Sequence, residues 1–249
     1  MLRLFSTWFP CADKHRHDEF LEAVNRNLSC DAIDQLCILR EGEAELPEHP
    51  KLVVREIQHR PLFNDFFAWI NELQTEEDIA AIANTDIWLD ETISLAHKHL
   101  TPQNAWALGR WDSWTQKPQL FDRNDSQDTW VFRGPLRHMN GGFPLGAPRC
   151  DNRILYEMQE AGYLVKNPAF SIICHHQHDE PPRAYLEVDS SFEAPPPYRY
   201  LYPENLMSYS EIRRHNAQSP IKLHWQIDPR KIQRTLPYRA WLRLTKIFR

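Results

Sequence analysis

Polar side chains at the end of an apolar segment are the first candidates for chemistry in this sequence. The uninterrupted apolar run Ile79–Ala83 has the length of a strand that is covered on both faces of a sheet, and Asn84-Thr85-Asp86 follows it directly. Open α/β sheets bind ligands beyond the carboxyl ends of their strands, where a carboxylate can hold a hard divalent cation. The alternative is a plain turn and helix cap before residues 90–92.

Two further polar clusters follow predicted strands. One is Arg110-Trp111-Asp112, and the other runs from His175 to His178. Histidines two apart on an extended segment face the same side, so His176 and His178 could share one ligand. Imidazole suits transition metals better than magnesium, so a histidine beside an aspartate favours manganese or a mixed site. The alternative is a pair of surface histidines.

A fourth cluster, Cys150-Asp151-Asn152, opens a predicted helix. The field of a helix N-terminus favours negative charge, so we expect it to keep the Asp151 carboxylate ionised. An ionised carboxylate can act as a general base, and at this position it can equally be a helix N-cap.

The elements that must position these groups alternate along the first 110 residues or so, as βαβ units with a parallel sheet do. Strands are predicted over 2–9, 33–39, 52–57, 79–89 and 104–111, and helices over 18–28 with Asp18 as cap, 62–73 and 93–100. Later, strands are predicted over 128–132, 163–165 and 169–174 and a helix over 151–162, while 195–237 has weak periodicity. Four of the seven glycines lie within 134–146, which predicts either a mobile loop near a site or a structural loop.

Composition excludes several classes of protein. The 249 residues are 42% hydrophobic and 25% charged, as in ordinary globular proteins, and a net charge of −5 gives no general case for nucleic-acid binding. No apolar run approaches the ~20 residues of a transmembrane helix, and no secretory signal is evident. Five cysteines without a Cys-x-x-Cys pair indicate reduced thiols, as in a cytoplasmic protein.

Taken together and in order, the motifs resemble those of GT-A-type glycosyltransferases over about residues 1–185. The matching segments are Ala83–Ile87, Arg110-Trp111, Gln127–Phe132, Cys150–Arg153, and Asn167-Pro168 with His176–His178. The resemblance implies an α/β fold with a Rossmann-like, mostly parallel central sheet flanked by helices. It also implies a GT-A-like domain over 1–185. Residues 186–249 carry none of these motifs, and we predict that they form an irregular extension that packs on this domain.

The resemblance further assigns residues to roles. Asn84-Thr85-Asp86 takes the place of an Asp-x-Asp motif but has Asn first, so it offers one firm carboxylate. Asp151 takes the place of the catalytic base, while Asp128 could hold a sugar hydroxyl or compete for that role. The implied donor-binding residues are Thr7, Arg16, Arg60, Asn84, Asp86 and Arg110, and the implied ligands of a Mn²⁺ or Mg²⁺ ion are Asp86, His176 and His178.

The implied activity is transfer of a sugar from a nucleotide-sugar donor to a glycan or lipid-linked acceptor, as in polysaccharide biosynthesis, with metal assistance and inversion. A metal-dependent phosphoesterase is a second hypothesis, which is weakened because Asp86 is the one strand-end aspartate predicted in the first half. A non-catalytic nucleotide-sugar-binding protein is a third, which the Asn at position 84 keeps open.

The carboxyl terminus is basic. Between residues 230 and 249 there is no Asp or Glu, and the basic residues are Arg230, Lys231, Arg234, Arg239, Arg243, Lys246 and Arg249. A helix beginning near Pro237 would place Trp241, Leu244 and Phe248 near one face. Such a helix suits peripheral contact with an anionic membrane on the cytoplasmic side, and the alternative is a helix packed on the domain.

Overall fold

The computed structural model describes residues 1–113, 118–177, 193–228 and Arg230. A seven-stranded sheet forms the centre, in the order β10-β6-β9-β4-β1-β2-β3. Its strands are β1 (Leu2–Trp8), β2 (Gln35–Glu41), β3 (Leu52–Ile57), β4 (Ile79–Ala83), β6 (Asn104–Leu108), β9 (Thr129–Arg133) and β10 (Leu164–Lys166). Only β9 among them runs antiparallel to its neighbours. This mostly parallel sheet with flanking helices confirms the predicted α/β fold class.

A second, four-stranded sheet has the order β5-β11-β7-β8. Its strands are β5 (Ile87–Leu89), β7 (Trp111–Asp112), β8 (Gln119–Leu120) and β11 (Cys174–His176). The helices are α1 (Lys14–Ser29), α2 (Phe63–Leu73), α3 (Ala96–His99), which follows a 3₁₀ turn over Glu91–Leu95, α4 (Cys150–Glu160) and α5 (Tyr209–Gln218).

The central strands separate two hydrophobic cores. All five side chains of β4 are buried, and they alternate between the two sides of the sheet as a strand requires. Ala80 and Ile82 pack into the core that contains α2 and α4, whereas Ala81 and Ala83 pack into the core that contains α1. Because both faces are covered, an unbroken apolar run at positions 79–83 is the pattern that this position demands.

The single strand predicted over 79–89 is wrong, because the structure divides it at Asn84-Thr85-Asp86 into β4 and β5 in different sheets. Helix α1 holds β5 in its new direction: the side chain of Asn27 donates to the Ile87 carbonyl at 2.9 Å and accepts the Leu89 amide at 3.0 Å. The strand predicted over 104–111 is divided in the same way, into β6 and β7. At that break the Gly109 amide donates to the Asn167 side chain at 3.0 Å.

Two other predicted boundaries are also wrong. Asp13, rather than Asp18, caps α1, since its side chain accepts the amides of His15 and Arg16. The strand predicted over 169–174 forms only from Cys174, because the Pro168 carbonyl accepts the amides of Ser171 and Ile172 and closes a turn there. In the weakly periodic region, a capping box between Ser208 and Glu211 starts α5.

The described part of the C-terminal extension runs along the domain through backbone hydrogen bonds. The amides of Ala194, Arg199, Leu201 and Glu204 donate to the carbonyls of Pro148, Asn152, Asn124 and Asn167. The predicted boundary at 185/186, the predicted terminal helix and, apart from Arg230, the basic segment 230–249 lie outside the described residues. None of the described helices is both long enough and apolar enough to span a bilayer.

The glycine-rich segment is fastened to the start of α2. The Gly141 amide donates to the Asn64 side chain at 2.7 Å, and the Gly141 carbonyl accepts the Asn64 amide at 3.0 Å. A Cβ atom at Gly141 would lie 2.6 Å from the Asn64 nitrogen and 2.7 Å from the Phe63 Cβ. Gly141 therefore serves a close backbone approach, which supports the structural interpretation of this loop.

We expect Gly141→Ala to lower the free energy of unfolding by about 1–3 kcal/mol, the range for overpacking a well-packed site. Gly142→Ala is the matched control, because the nearest atom to its added Cβ is the Asn140 side-chain oxygen at 3.4 Å. Urea unfolding of both variants tests the difference. Equal midpoints for the two variants would show that the backbone approach at Gly141 is not a stability constraint.

Candidate functional site

A cleft of about 1450 Å³ opens beyond the carboxyl ends of β1 and β4. Nine of the ten site residues predicted from the sequence line it: Thr7, Arg16, Arg60, Asn84, Asp86, Arg110, Asp128, Asp151 and His176. The tenth, His178, lies outside the described residues. Strand ends from two sheets and the first turns of α1 and α4 thus bring together residues far apart in the chain.

Asp86 is the buried centre of one wall of this cleft. Its Oδ2 atom accepts a hydrogen bond from Arg16 Nη2 at 2.5 Å and lies 3.2 Å from His176 Nε2. Burial alone would raise the pKa of Asp86, but the hydrogen bond and charge of His176 and the charge of Arg16 outweigh burial and hold that pKa well below its usual range. Asp86 is therefore a carboxylate with cationic partners on two sides.

His176 links Asp86 to a carboxylate that the sequence analysis did not assign to the site. Its Nδ1 lies 3.2 Å from Asp112 Oδ1. Burial would lower the pKa of His176, but the hydrogen bonds to Asp112 and Asp86 raise it to about 9. Asp112 reaches His176 because β7 and β11 pair in parallel with these two residues in register. The signal in the sequence was its place in the Arg110-Trp111-Asp112 cluster.

Arg110 extends a row of charged side chains whose signs alternate. Its Nε donates to Asp112 Oδ1 at 3.0 Å, its Nη1 contacts Asp128 Oδ1 at 3.4 Å, and its guanidinium lies over the Phe121 ring. The row therefore runs from Arg16 through Asp86, His176, Asp112 and Arg110 to Asp128, with each charge next to one of opposite sign. Buried charges tolerate desolvation when they are paired in this way.

Asn84 and Asp128 each have one side-chain oxygen atom that accepts no hydrogen bond from the described residues. Asn84 Nδ2 donates to Asp128 Oδ1 at 3.0 Å. The other oxygens, Asn84 Oδ1 and Asp128 Oδ2, are buried and have no hydrogen-bond partner among the described residues. A buried acceptor without a partner costs about 1–3 kcal/mol, so donors from water or a ligand are expected here. Both residues line the cleft.

Asp151 lies in the first turn of α4 and is neither the predicted N-cap nor held ionised by the helix. Arg149 is the N-cap residue, with φ 65° in the left-handed region that non-glycine residues seldom adopt. Asp151 Oδ1 accepts the Asn152 amide at 2.9 Å and Oδ2 accepts the Gln127 amide at 3.4 Å. Burial and the nearby charge of Asp128 raise the pKa of Asp151 to about 7. Desolvation and a like charge thus outweigh the helix field.

The described residues do not offer a prepared site for a resident divalent cation. No group of three or more His, Cys, Asp or Glu side chains within them has the geometry to hold a metal ion. Asp86 Oδ2 already contacts Arg16 and His176 at hydrogen-bond distance, and the side-chain amide of Asn84 donates a hydrogen bond to Asp128. A cation at Asp86 would have to displace the Arg16 guanidinium, because two cationic groups repel at that distance.

Comparisons with known proteins give little beyond these observations. No protein-family model and no curated protein matches the chain. Two solved structures of S. aureus TarS are similar at 9% identity and cover 71% of this chain, the 1–349 fragment at TM-score 0.45 and a longer chain at 0.44. This chain spans 60% and 36% of their respective lengths. At these values the likeness carries no argument about residue roles.

The raised pKa of Asp151 gives a pH-dependent stability. Its folded-state pKa of about 7 exceeds the ordinary 3.8, so the folded chain keeps a proton that the unfolded chain releases between those pH values. The stabilising effect of that proton is lost as pH rises through this window. Asp151→Asn lacks this titrating group. We therefore expect the Tm of the variant to rise relative to that of the unaltered chain between pH 5 and pH 8.

Thermal unfolding from pH 5 to pH 8 measures that difference. Asp31→Asn, at an exposed position outside the cleft, is the matched control and should run parallel to the unaltered chain. A Tm difference for Asp151→Asn that stays constant with pH would contradict the raised pKa.

Proposed function

We propose that this protein is a glycosyltransferase that moves a sugar from a nucleotide-sugar donor to a hydroxyl group of a glycan or lipid-linked acceptor. The observation that carries the proposal is the half-buried carboxyl group of Asp151, with a pKa of about 7, facing a cleft rich in arginine. A general base works best with a pKa near the operating pH, and Asp151 meets that condition.

The arginines favour a diphosphate as the charged part of the ligand. Five of them line the cleft: Arg16, Arg60, Arg110, Arg123 and Arg149. A guanidinium group matches the oxygens of a phosphate with two parallel donors, and such charge-assisted bonds are among the stronger ones in proteins. At the end of β1, the hydroxyls of Thr7 and Thr85 lie 2.7 Å apart and supply neutral donors beside these cations.

We assign different roles to the two neighbouring carboxyl groups of Asp151 and Asp128. We assign Asp151 as the base, because its carboxyl group exchanges a proton near neutral pH. We assign Asp128 to a hydroxyl of the donor sugar, because its Oδ1 is held by Asn84 and Arg110 while its buried Oδ2 needs a donor. The negative charge of Asp128 also helps to raise the pKa of Asp151, so the two roles depend on each other.

The proposed reaction is one displacement. The acceptor oxygen bonds to the anomeric carbon while the bond from that carbon to the diphosphate oxygen breaks. The electron pair of the broken bond leaves with the nucleoside diphosphate, and the acceptor proton passes to Asp151. A single displacement inverts the anomeric centre. No step is assigned to a metal ion, because Asp86 already has its cationic partners.

The two other hypotheses have less support. A metal-dependent phosphoesterase needs a cluster of metal ligands, and the described residues contain no such cluster of three or more. A non-catalytic binding protein has no use for a half-buried carboxyl group whose pKa lies near 7, because partial burial of that group costs stability without adding donor affinity.

The location of the protein is a separate proposal. We propose a cytoplasmic enzyme whose basic segment 230–249 contacts an anionic membrane surface near lipid-linked acceptors. Co-sedimentation with anionic liposomes, at low and high salt, should show salt-sensitive binding by the full chain and none by a chain ending at Pro229. Equal binding by both chains would contradict this role for the segment.

A screen of nucleotide-sugars tests the activity and then the base. With the donor that supports transfer or slow hydrolysis, we expect Asp151→Asn to lower kcat by about 10²–10⁴, the usual effect of losing a general base, with donor affinity nearly unchanged. In the unaltered enzyme, kcat/KM should rise with pH and level off above about 7, because the base must be ionised.

Asp128→Asn is the matched variant for that experiment, since it removes the neighbouring carboxylate of the same cleft. We expect it to raise the KM for the donor and to lower the apparent pKa of the pH profile, because the like charge beside Asp151 is gone. If Asp151→Asn keeps near-normal transfer while Asp128→Asn abolishes it, the assignment of the base is wrong and Asp128 takes that role.

A further inference from the structure

We propose that Arg16 supplies, at the end of β4, the positive charge that a divalent cation would otherwise supply, so that the donor diphosphate binds and leaves without a metal ion. This inference rests on the proposed function, because it concerns the diphosphate of the same donor. It differs from the expectation of a manganese or magnesium ion held by Asp86 and His176.

Arg16 is held in place by the first turn of α1. The Asp13 side chain caps that turn by accepting the amides of His15 and Arg16 at 3.0 and 3.3 Å. The Arg16 guanidinium also lies over the Phe20 ring, 4.6 Å from its centre. The backbone of Arg16 and one face of its guanidinium are thus fixed by α1 itself.

Two carboxylates then orient the guanidinium toward the cleft. Arg16 Nη1 donates to Glu19 Oε2 at 2.8 Å, and Arg16 Nη2 donates to Asp86 Oδ2 at 2.5 Å. Glu19 is buried, so its contact with Arg16 is shielded from water. A guanidinium has five N–H donors, and these contacts use two of them. The side chain is 31% exposed and lines the cleft, so other donors of Arg16 can reach phosphate oxygens.

The carboxylates near this point are already neutralised by cationic side chains. Asp86 pairs with Arg16 and His176, whereas Asp112 and Asp128 pair with Arg110. A divalent cation binds where carboxylate charge is in excess, as in sites built for Mg²⁺ or Ca²⁺. Here such an ion would compete with resident guanidinium groups for the same oxygens.

The residue type at position 84 agrees with this arrangement. A metal-binding pair of carboxylates would bring two negative charges to the strand end, and Asn84 removes one of them. Its amide donates to Asp128 instead. With one carboxylate at the turn, and with Arg16 and His176 paired to it, the charge at the end of β4 is balanced by side chains alone. Preorganised cations of this kind stabilise a leaving diphosphate without reorganisation.

Titration calorimetry with nucleoside diphosphates tests the inference, using the uridine, guanosine, adenosine, cytidine and thymidine compounds in turn. Each is titrated into the full-length protein once in EDTA and once in excess Mn²⁺. We expect the nucleotide that binds to show the same Kd, within about twofold, in both conditions. We expect Arg16→Ala to weaken that Kd by about 10- to 100-fold in both, the range for losing a charge-assisted hydrogen bond.

Arg26→Ala is the matched control on the same helix. Arg26 pairs with Glu22 and lies over the Trp88 ring, and it does not line the cleft. This variant should bind the nucleotide as the unaltered chain does. Arg16→Lys, which keeps the charge but loses the fork of donors, should fall between the alanine variant and the unaltered chain. Thermal unfolding of each variant checks that it is folded.

The outcomes separate the two proposals. Binding that requires Mn²⁺ and disappears in EDTA would overturn the role of Arg16 and leave the proposed function standing. Unchanged affinity in a folded Arg16→Ala variant would do the same. Failure of every nucleoside diphosphate to bind in either condition would overturn the donor site itself, and both proposals with it.

Discussion

The buried contact of the Asp86 carboxylate with Arg16 and His176 is the interaction on which the arrangement of the cleft depends. Asp86 ends the turn between β4 of the large sheet and β5 of the small one, Arg16 comes from α1, and His176 comes from β11. One carboxylate thus joins both sheets and a helix. Taking charges out of water is costly, and removing one member of such a group leaves the others buried and unpaired. This side of the cleft is therefore fixed.

The part of the cleft around Asn84, Asp128 and Asp151 has the reverse character. Asn84 Oδ1 and Asp128 Oδ2 are buried acceptors that no described residue satisfies, and the pKa of Asp151 is raised to about 7 by burial and by Asp128. Buried polar groups are usually hydrogen-bonded. Buried acceptors that lack a partner within the protein therefore indicate where the donors of a ligand can bind. Perturbed carboxyl groups in a cleft are also where catalytic acids and bases are found. The contrast supports the proposal that the chemistry occurs at Asp151 and that the arginines bind the charged part of the donor.

Much of the fold followed from local patterns. The apolar run of β4, the alternation of strands and helices, and the helical spacing of α2 predicted the α/β class and most elements within a few residues. The two divided strands have one cause. Where a strand changes sheets, at 84–86 and at 109–110, the side chains of Asn27 and Asn167 redirect the backbone from about 60 residues away. Periodicity within one segment carries no information about such partners.

The sequence by itself determined which residues could act. Polar groups directly after strands and at the start of a helix predicted five described members of the cleft, because the carboxyl ends of parallel strands meet at one edge of a sheet. These are Asn84, Asp86, Arg110, Asp151 and His176, and the resemblance to GT-A glycosyltransferases implied four more, Thr7, Arg16, Arg60 and Asp128. Only the tertiary structure decided which partners those residues contact and how they are charged. The register of β7 with β11 brings Asp112 to His176, and the fold brings Arg16 to Asp86 although 70 residues separate them in the chain. The surroundings of Asp151 raise its pKa, whereas the helix field alone would lower it. The physical reason is that charge state depends on burial and on neighbours in space, and neither is written in the order of residues along the chain.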